Sequence, residues 1–253
     1  MATTFKTTRR AALLGAAGAL AAPSVLRAQA PVRLTLGHGA APGNPRAVAA
    51  ERMAAQLREK SNGRIEMRVA GAAQLGDDAA MLTALRTGTL DMSVNSQGAS
   101  SAVLPELAAL GLPFLFPSPA AAYKVVDGPT GAELAQRFEK VGLVSLGWWD
   151  NGIRHITNSK RAINRPEDLR GLKIRTPPDP TTIDIFQALG AATQQINFNE
   201  LYVALQQGVV DGQENPLANI QSSKLYEVNK FISLPSHKWS ARPSSPPASP
   251  GAG

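Results

Sequence analysis

The sequence predicts an α/β fold with a mostly parallel sheet. Strand and helix patterns alternate as β-α-β-α-β between residues 32 and 96, and such crossovers produce parallel strands with helices on the sheet faces. A second observation is the string A-L-x-x-G-x-x-D, which occurs as ALRTGTLD at 84–91 and as ALQQGVVD at 204–211. Each copy describes a helix end, a glycine stop and an acid that starts a strand. Unless the match is a coincidence, it predicts two similar lobes that face each other across a cleft.

Residues 1–30 are typical of an export signal. A basic start with Arg9 and Arg10 precedes an apolar run at 11–22 and a small-x-small end at 28–30. Twelve apolar residues are too few to cross a bilayer as a helix. The paired arginines favour the twin-arginine route, with an ordinary secretory signal as the alternative. Either route leads out of the cytoplasm.

The next segment predicts three strands separated by two helices. VRLTLGHG forms the first strand, residues 46–60 the first helix and 64–71 the second strand; QLGDD caps the second helix, and residues 91–96 form the third strand. Because ligands of α/β proteins bind at the carboxyl ends of parallel strands, polar residues at those ends are candidate ligand contacts. These candidates are His38, Asn95 and Ser96, and Asp78 in the cap of the second helix is a further candidate.

The segment from 104 to 149 predicts a connection between the lobes. Residues 104–128 are rich in proline and indicate a buried loop with a short helix, followed by a helix at 131–141 and a crossover strand at 143–149.

GLKIRTPPDP at 171–180 places an arginine at a strand end. The strand begins at Lys173 and must stop at Thr176, because the following Pro-Pro pair cannot donate ladder hydrogen bonds. Arg175 therefore lies at the edge that faces the ligand crevice. A guanidinium there can hold a planar anion by two parallel hydrogen bonds. A surface salt bridge to a helix carboxylate is the alternative.

Two neighbouring strings add further candidates. GWWDNGIRHITNS at 147–159 contains Arg154, which could bind an anion or stack on a tryptophan. FNELYVALQQGVVDGQENP at 198–216 predicts a helix capped by Asn199 and stopped by Gly208, then a strand that delivers Asn215. Asn215 could also be only the turn residue before a proline. Two aromatic residues, Trp149 and Phe198, are either ligand walls or core.

These three strings and their spacing resemble the solute-binding receptors of tripartite ATP-independent periplasmic (TRAP) transporters, of the dicarboxylate-binding (DctP) type. The resemblance runs from about Val32 to Leu234 and includes QLGDD and YEVNKF. It implies a two-lobed periplasmic binding protein-like fold of type II, with lobes at 31–152 and 153–239. It also implies a monomeric, non-enzymatic periplasmic receptor without a cofactor, whose partners are a carboxylate ligand and the small and large membrane subunits.

The resemblance also assigns roles to site residues. Arg175 would bind the ligand carboxylate bidentately, Arg154 would make a second contact and Asn215 would donate to the same carboxylate. Relatives that bind sialic acid carry glutamate at the position of Ser96, so the resemblance favours a smaller organic acid. A receptor of an ATP-driven transporter with the same fold is the alternative.

Composition argues against other classes of protein. Cysteine is absent, and the three histidines show no metal-binding spacing. A G-x-S-x-G string is also absent, which disfavours an exported hydrolase. Six of the 26 basic residues lie within 1–30 or after 237, where there is no acid, which leaves 20 bases against 19 acids. No basic face for nucleic acid is therefore expected.

Residues 240–253 predict a disordered tail, because they contain only small residues, prolines and one arginine. The resembled family continues well past this point, so the second lobe and a hinge helix are expected to be incomplete. A truncated gene or a shifted reading frame would explain the change of composition, and a non-functional fragment is then the alternative to a working receptor.

Overall fold

The computed structural model describes residues 30–248 of the 253-residue chain. The predicted export signal, up to residue 29, and the last five residues of the predicted tail lie outside the described residues. The strands, in chain order, are β1 Val32–His38, β2 Ile65–Ala70, β3 Met92–Val94, β4 Gly147–Asn158, β5 Lys173–Thr176, β6 Ala192–Gln195, β7 Gly212–Pro216 and β8 Phe231–Ser245.

The helices connect these strands, and four of the eight described begin at a side-chain cap. They are α1 Pro45–Lys60, α2 Asp78–Arg86, α3 Gln97–Ser100, α4 Pro119–Val126, α5 Pro129–Lys140, α6 Pro180–Ala188, α7 Leu201–Gln206 and α8 Leu217–Ser222. Asn44 caps α1 by accepting from the backbone N–H of Arg46, and Asp77 caps α2 by accepting from Ala80. The predicted QLGDD cap is thereby confirmed. Short 3₁₀ turns cover Pro105–Gly111, Pro166–Leu169, Phe198–Glu200 and Leu225–Glu227.

The described strands form one mixed sheet in the order β2-β1-β3-β8-β4-β7-β5-β6. β1 pairs in parallel with β2 and β3, and β5 pairs in parallel with β6 and β7. The long strands β4 and β8 run antiparallel to each other between these two parallel groups. The predicted α/β class is therefore confirmed, and the sheet is mixed because its centre is antiparallel.

Apolar residues pack into separate clusters on either side of the central strands. The cluster beside β1–β3 is built around Met81, Leu107, Phe138 and Trp239. Beside β5–β7, one cluster surrounds Ile174 and Phe186, and another surrounds Leu201. Burial of these side chains holds the helices against the sheet. This packing fixes the positions of the polar strand ends described below.

The prediction that disorder begins at Ser240 is wrong for the described part of the tail. β8 continues to Ser245, and its residues from His237 onward are buried. It pairs with β4 from Gly147 to Asn158 and with the end of β3. Composition alone predicted disorder because small residues contribute little apolar burial. A strand held between two neighbours is instead stabilised by its backbone hydrogen bonds.

Three other boundaries differ from the predictions. The crossover strand predicted at 143–149 begins at Gly147 and continues through β4. Asn199 is not a helix cap; it lies within the 3₁₀ turn that precedes α7, while Gly208 ends that helix region with φ of 70° as predicted. The helical turns predicted up to Phe231 end at Glu227, and Phe231 begins β8. All three reflect tertiary pairing that local patterns do not specify.

Candidate functional site

A polar cavity of about 60 Å³ lies where strands from both parallel groups end. Its wall includes Gly39 after β1, Ser96 after β3 and Arg175 near the end of β5. Of the nine residues predicted from the sequence, six lie at this cavity: Asp78, Ser96, Arg154, Arg175, Phe198 and Asn215. The cavity therefore has the position expected of a ligand site in an α/β protein.

Arg175 is the arginine at the cavity whose guanidinium is best placed to bind an anion. The residue is only 2% exposed, and its Nε donates to the carbonyl oxygen of Ile196 at 2.8 Å. Within residues 30–248, that is the only hydrogen bond its guanidinium makes. Burial lowers the pKa of Arg175 to about 10, against the attraction of Glu214. The terminal nitrogens at the cavity are therefore poorly solvated donors that an anionic ligand would satisfy.

Phe198 forms one wall beside this guanidinium. Arg175 Cζ lies 6.0 Å from the centre of the Phe198 ring, at the outer limit of a cation–π contact. This supports the interpretation of Phe198 as a wall of the cavity, although the ring also packs against the cluster around Leu201.

Arg154 is held by a buried ion pair that the sequence did not predict. Its Nη2 donates to Glu214 Oε1 at 2.5 Å, and its Nε donates to Glu214 Oε2. Burial alone would raise the pKa of Glu214, but the charge of Arg154 and hydrogen bonds from His237 and Arg154 hold that pKa well below its usual range. The carboxylate is therefore ionised, and Arg154 is fixed at the cavity by a fully buried partner.

Asn215 lies in β7 with its side-chain amide between polar partners. Nδ2 donates to Gln213 Oε1 at 2.6 Å, and Oδ1 accepts from Asn219 Nδ2 at 3.1 Å. The second N–H of Asn215 has no partner within the described chain, so it can donate to a ligand in the cavity.

Asp78 and Ser96 form the opposite wall. Asp78 Oδ2 accepts from the backbone N–H of Ser96 at 2.9 Å and from its hydroxyl at 2.5 Å. Arg242 Nη1 lies 3.6 Å from the same oxygen. The hydroxyl of Ser96 is therefore used in its hydrogen bond to Asp78 and in the cap of α3. Of these two residues, Asp78 is the stronger hydrogen-bonding partner because its carboxylate is charged.

Three predicted site residues do not line the cavity. His38 is buried behind it, with Nδ1 accepting from Ala40 N–H; burial and the charge of Arg46 lower its pKa to about 4, so it is neutral at pH 7. Asn95 is buried and donates to Ser93 Oγ at 2.5 Å. Trp149 lies in a different groove beside α1 and packs against an apolar cluster with Leu36. Their polarity or ring size suggested ligand contact, but none of the three lines the cavity, and His38 Nε2 and Asn95 Oδ1 are buried without a hydrogen-bond partner among the described residues.

β8 contributes cavity residues that the sequence analysis missed. Lys238 Nζ donates to Asp179 Oδ2 at 2.6 Å and to Thr182 Oγ1 at 2.8 Å, and Arg242 Nε donates to Asn151 Oδ1 at 3.0 Å. Asn151 is the extra residue of a β-bulge in β4, which turns it toward the cavity. Arg242 lies in the segment that was predicted to be disordered and Lys238 lies just before it, and neither was considered as a site residue.

Gly98 allows close contact between α3 and the start of α6. A Cβ at this position would lie 2.5 Å from Asp179 Cβ, whereas a Cβ at Gly39 would meet only Asp78 Oδ1 at 3.9 Å. We expect Gly98→Ala to destabilise the protein by about 1–3 kcal/mol through overpacking, measured by urea unfolding. Gly39→Ala is the matched control and should be neutral or slightly stabilising, because alanine restricts the unfolded chain. Equal stabilities of the two variants would contradict the close contact.

Two kinds of feature are not found among the described residues. From residue 30 to 248, no helix combines the length and apolarity needed to cross a membrane. The same part of the chain contains no cluster of three or more His, Cys, Asp or Glu side chains suited to holding a metal ion.

Comparison with known proteins gives a consistent result. Residues 36–243 match the family model described as bacterial extracellular solute-binding protein, family 7 (DctP). Curated relatives include a solute-binding protein of Verminephrobacter eiseniae, 40% identical over 76% of this chain and 58% of that protein. The Escherichia coli 2,3-diketo-L-gulonate-binding periplasmic protein YiaO is 36% identical over 76% of this chain and 59% of its own length. An uncharacterized protein of Sinorhizobium fredii, y4mM, is 65% identical over 94% of this chain and 45% of its own length. The chain thus spans about half the length of these relatives.

Solved structures support the same relationship. The sugar acid binding protein DctPAm from Advenella mimigardefordensis, in complex with galactonate, superposes with a TM-score of 0.84 at 33% identity. The alignment covers 86% of this chain and 70% of that one. A TRAP periplasmic solute binding protein from Sulfurospirillum deleyianum with bound succinate gives 0.83 at 34% identity, covering 85% and 70%. The chain therefore has the α/β fold of TRAP solute-binding proteins, with a mixed sheet flanked by helices.

The matched family is one of solute-binding proteins and not a class of enzymes. Since its model covers most of the sequence, the chain belongs to family 7 of the bacterial extracellular solute-binding proteins, the DctP family.

Proposed function

We propose that this chain is an extracytoplasmic receptor that binds a small organic acid and delivers it to the small and large membrane subunits of a TRAP transporter. The observation that carries the proposal is the guanidinium of Arg175, which is buried at the cavity and makes one hydrogen bond, through Nε, to the described residues. Its terminal N–H groups match the geometry of a carboxylate. Membership of the DctP family supports the same role.

The proposed mechanism is capture without chemistry. The carboxylate is held by two parallel hydrogen bonds from Arg175, while Asn215 donates a third and Arg154 adds positive charge from its fixed position against Glu214. The proposed lobes, 31–152 and 153–239, hinge shut around the ligand and exclude water, which strengthens these charged contacts. No bond is formed or broken, and neither a metal nor a cofactor takes part.

The ligand class follows from the site and its relatives. Similar proteins are described with galactonate, succinate or D-erythronate bound. For this chain, we propose a small organic acid, because the resemblance places Ser96 at the position where sialic acid receptors carry glutamate. We further propose that it acts as a monomer in the periplasm, after export by the twin-arginine route indicated by Arg9 and Arg10.

A thermal-shift screen of small mono- and dicarboxylates tests this function. A ligand that binds only the native state stabilises it by roughly 2.7 kcal/mol at a hundred times its dissociation constant, so the melting temperature should rise with concentration. Each acid is paired with its neutral amide, which keeps the shape but removes the charge that Arg175 recognises. If no acid in the panel shifts the melting temperature, or if the amides shift it equally, the proposed receptor function is wrong.

A further inference from the structure

A series of buried side-chain amides connects the cavity with the start of α1. At its centre is Asn219 in α8, which is 2% exposed. Its Nδ2 donates to Asn215 Oδ1 at 3.1 Å and to Asn151 Oδ1 at 3.2 Å. Its Oδ1 accepts from Asn44 Nδ2 at 3.0 Å. Asn219 therefore joins two cavity residues to the residue that caps α1.

The direction of every amide in this series is fixed from one end. The backbone N–H of Arg46 can only donate, so Asn44 must present Oδ1 to it and Nδ2 to Asn219. Asn219 must then present Oδ1 to Asn44 and Nδ2 to Asn215. As a result Asn215 presents Oδ1 to Asn219, and its Nδ2 is directed to Gln213 and to the ligand side. The N-cap of α1 is thus consistent with only one orientation of the Asn215 amide, and Arg154 Nη2, which donates to Asn215 Oδ1 at 3.5 Å, favours the same orientation.

The series also joins distant parts of the fold. Asn44 follows β1 and Asn219 follows β7, and these strands lie on opposite sides of the central pair β8–β4. The two residues are 175 positions apart in the sequence. Separation of the β1 side from the β7 side would break the Asn44–Asn219 hydrogen bond, whose net contribution is about 0.5–1.5 kcal/mol.

We propose that Asn219 is a positioning residue that couples ligand binding at Asn215 to the contact with Asn44, so that cleft closure and carboxylate capture stabilise each other through one hydrogen-bond series. This inference rests on the proposed function. The ligand orders the Asn215 amide, the ordered amide holds Asn219 in place, and Asn219 accepts from Asn44 when the two sides meet. The coupling is reciprocal, because closing from the Asn44 side directs the Asn215 donor toward the ligand.

The test uses two variants that interrupt the series at different points. Asn44→Ser keeps the cap of α1, since a serine hydroxyl also accepts from the backbone, but it removes the amide that donates to Asn219. Asn219→Ala removes the central link. Titration calorimetry with succinate and D-erythronate should show that each variant binds about tenfold more weakly than the wild type. The double variant should bind no more weakly than whichever single variant binds less tightly. The reason is that both single variants and the double variant lack the same connection between Asn44 and Asn215.

Ser222→Ala is the matched control. Ser222 Oγ accepts from the same Asn44 Nδ2 at 3.0 Å, but it does not lead to Asn215. The dissociation constant of the Ser222→Ala variant should stay within about twofold of the wild-type value. Small-angle scattering should show ligand-induced compaction in the wild type and in the control, and reduced compaction in Asn44→Ser and Asn219→Ala, a difference that lost stability alone would not produce.

The outcomes separate this inference from the proposed function. If the wild type binds neither succinate nor D-erythronate nor any other acid of the screen, the receptor function fails and the coupling fails with it. If the wild type binds but Asn44→Ser binds equally well, or if the losses of the two single variants multiply in the double variant, only the coupling through Asn219 is overturned.

Discussion

Replacing Arg175 with alanine is expected to weaken carboxylate binding by roughly 2–5 kcal/mol, the usual cost of removing one partner of a buried charge pair. At about 1.4 kcal/mol per factor of ten, this is a loss of roughly thirtyfold or more in dissociation constant. The reason is that the terminal nitrogens of Arg175 have no acceptor in residues 30–248, so the ligand supplies the missing hydrogen bonds. Titration calorimetry with an acid identified in the thermal-shift screen gives the measurement.

Two companion variants sharpen this experiment. Arg175→Lys keeps the charge but loses the planar fork, so it should bind more weakly than the wild type and more tightly than the alanine variant. Lys173→Ala, on the same strand but exposed, should leave binding unchanged. Ligand-free Arg175→Ala should be no less stable than the wild type, because burial disfavours the charged guanidinium. A loss below about threefold would remove Arg175 from the proposed site.

Local chemistry explains which parts of the site could be predicted from the sequence. The Pro-Pro pair after Thr176 limits the length of β5, and strand geometry then sets where Arg175 lies. Gly208 ends a helix in the left-handed conformation, and β7 follows at a short distance with Asn215. Positions of this kind depend on a few neighbouring residues, so they were predicted correctly.

Partners distant in sequence could not be predicted in the same way. Arg154 was expected to bind ligand or to stack on a tryptophan, yet it pairs with Glu214, 60 positions away. The Asp179–Lys238 pair depends on β8 pairing with β4, and the low-complexity composition of that segment concealed the strand. Trp149 lies outside the cavity because an apolar cluster beside α1 accommodates its indole ring. Such outcomes follow from sheet pairing and packing and have no local signal.

A second large effect is expected from Glu214→Gln, which should destabilise the folded protein by about 3–5 kcal/mol, the range for breaking one side of a buried ion pair. Glutamine keeps an acceptor for Arg154 but leaves its guanidinium, whose side chain is 7% exposed, without a compensating charge. The free energy of unfolding in urea at pH 7 gives the measurement. Carboxylate binding should weaken as well, because Arg154 is no longer fixed at the cavity.

The matched control for Glu214→Gln is Glu106→Gln, which removes one of the two carboxylates that pair with Arg137 on the surface. Since both of those side chains are about 40% exposed or more, water screens the pair and the change should leave the free energy of unfolding nearly unchanged. Similar losses in the two variants would show that the pair of Glu214 and Arg154 is not buried in solution.

The dependence of stability on pH provides an independent check of the same ion pair. Because the folded-state pKa of Glu214 is lowered, its stabilisation is fully present above its ordinary value of 4.5 and is lost as the pH falls further. The stability difference between the wild type and Glu214→Gln should therefore be constant from neutral pH down to about 5 and should narrow in more acidic solution.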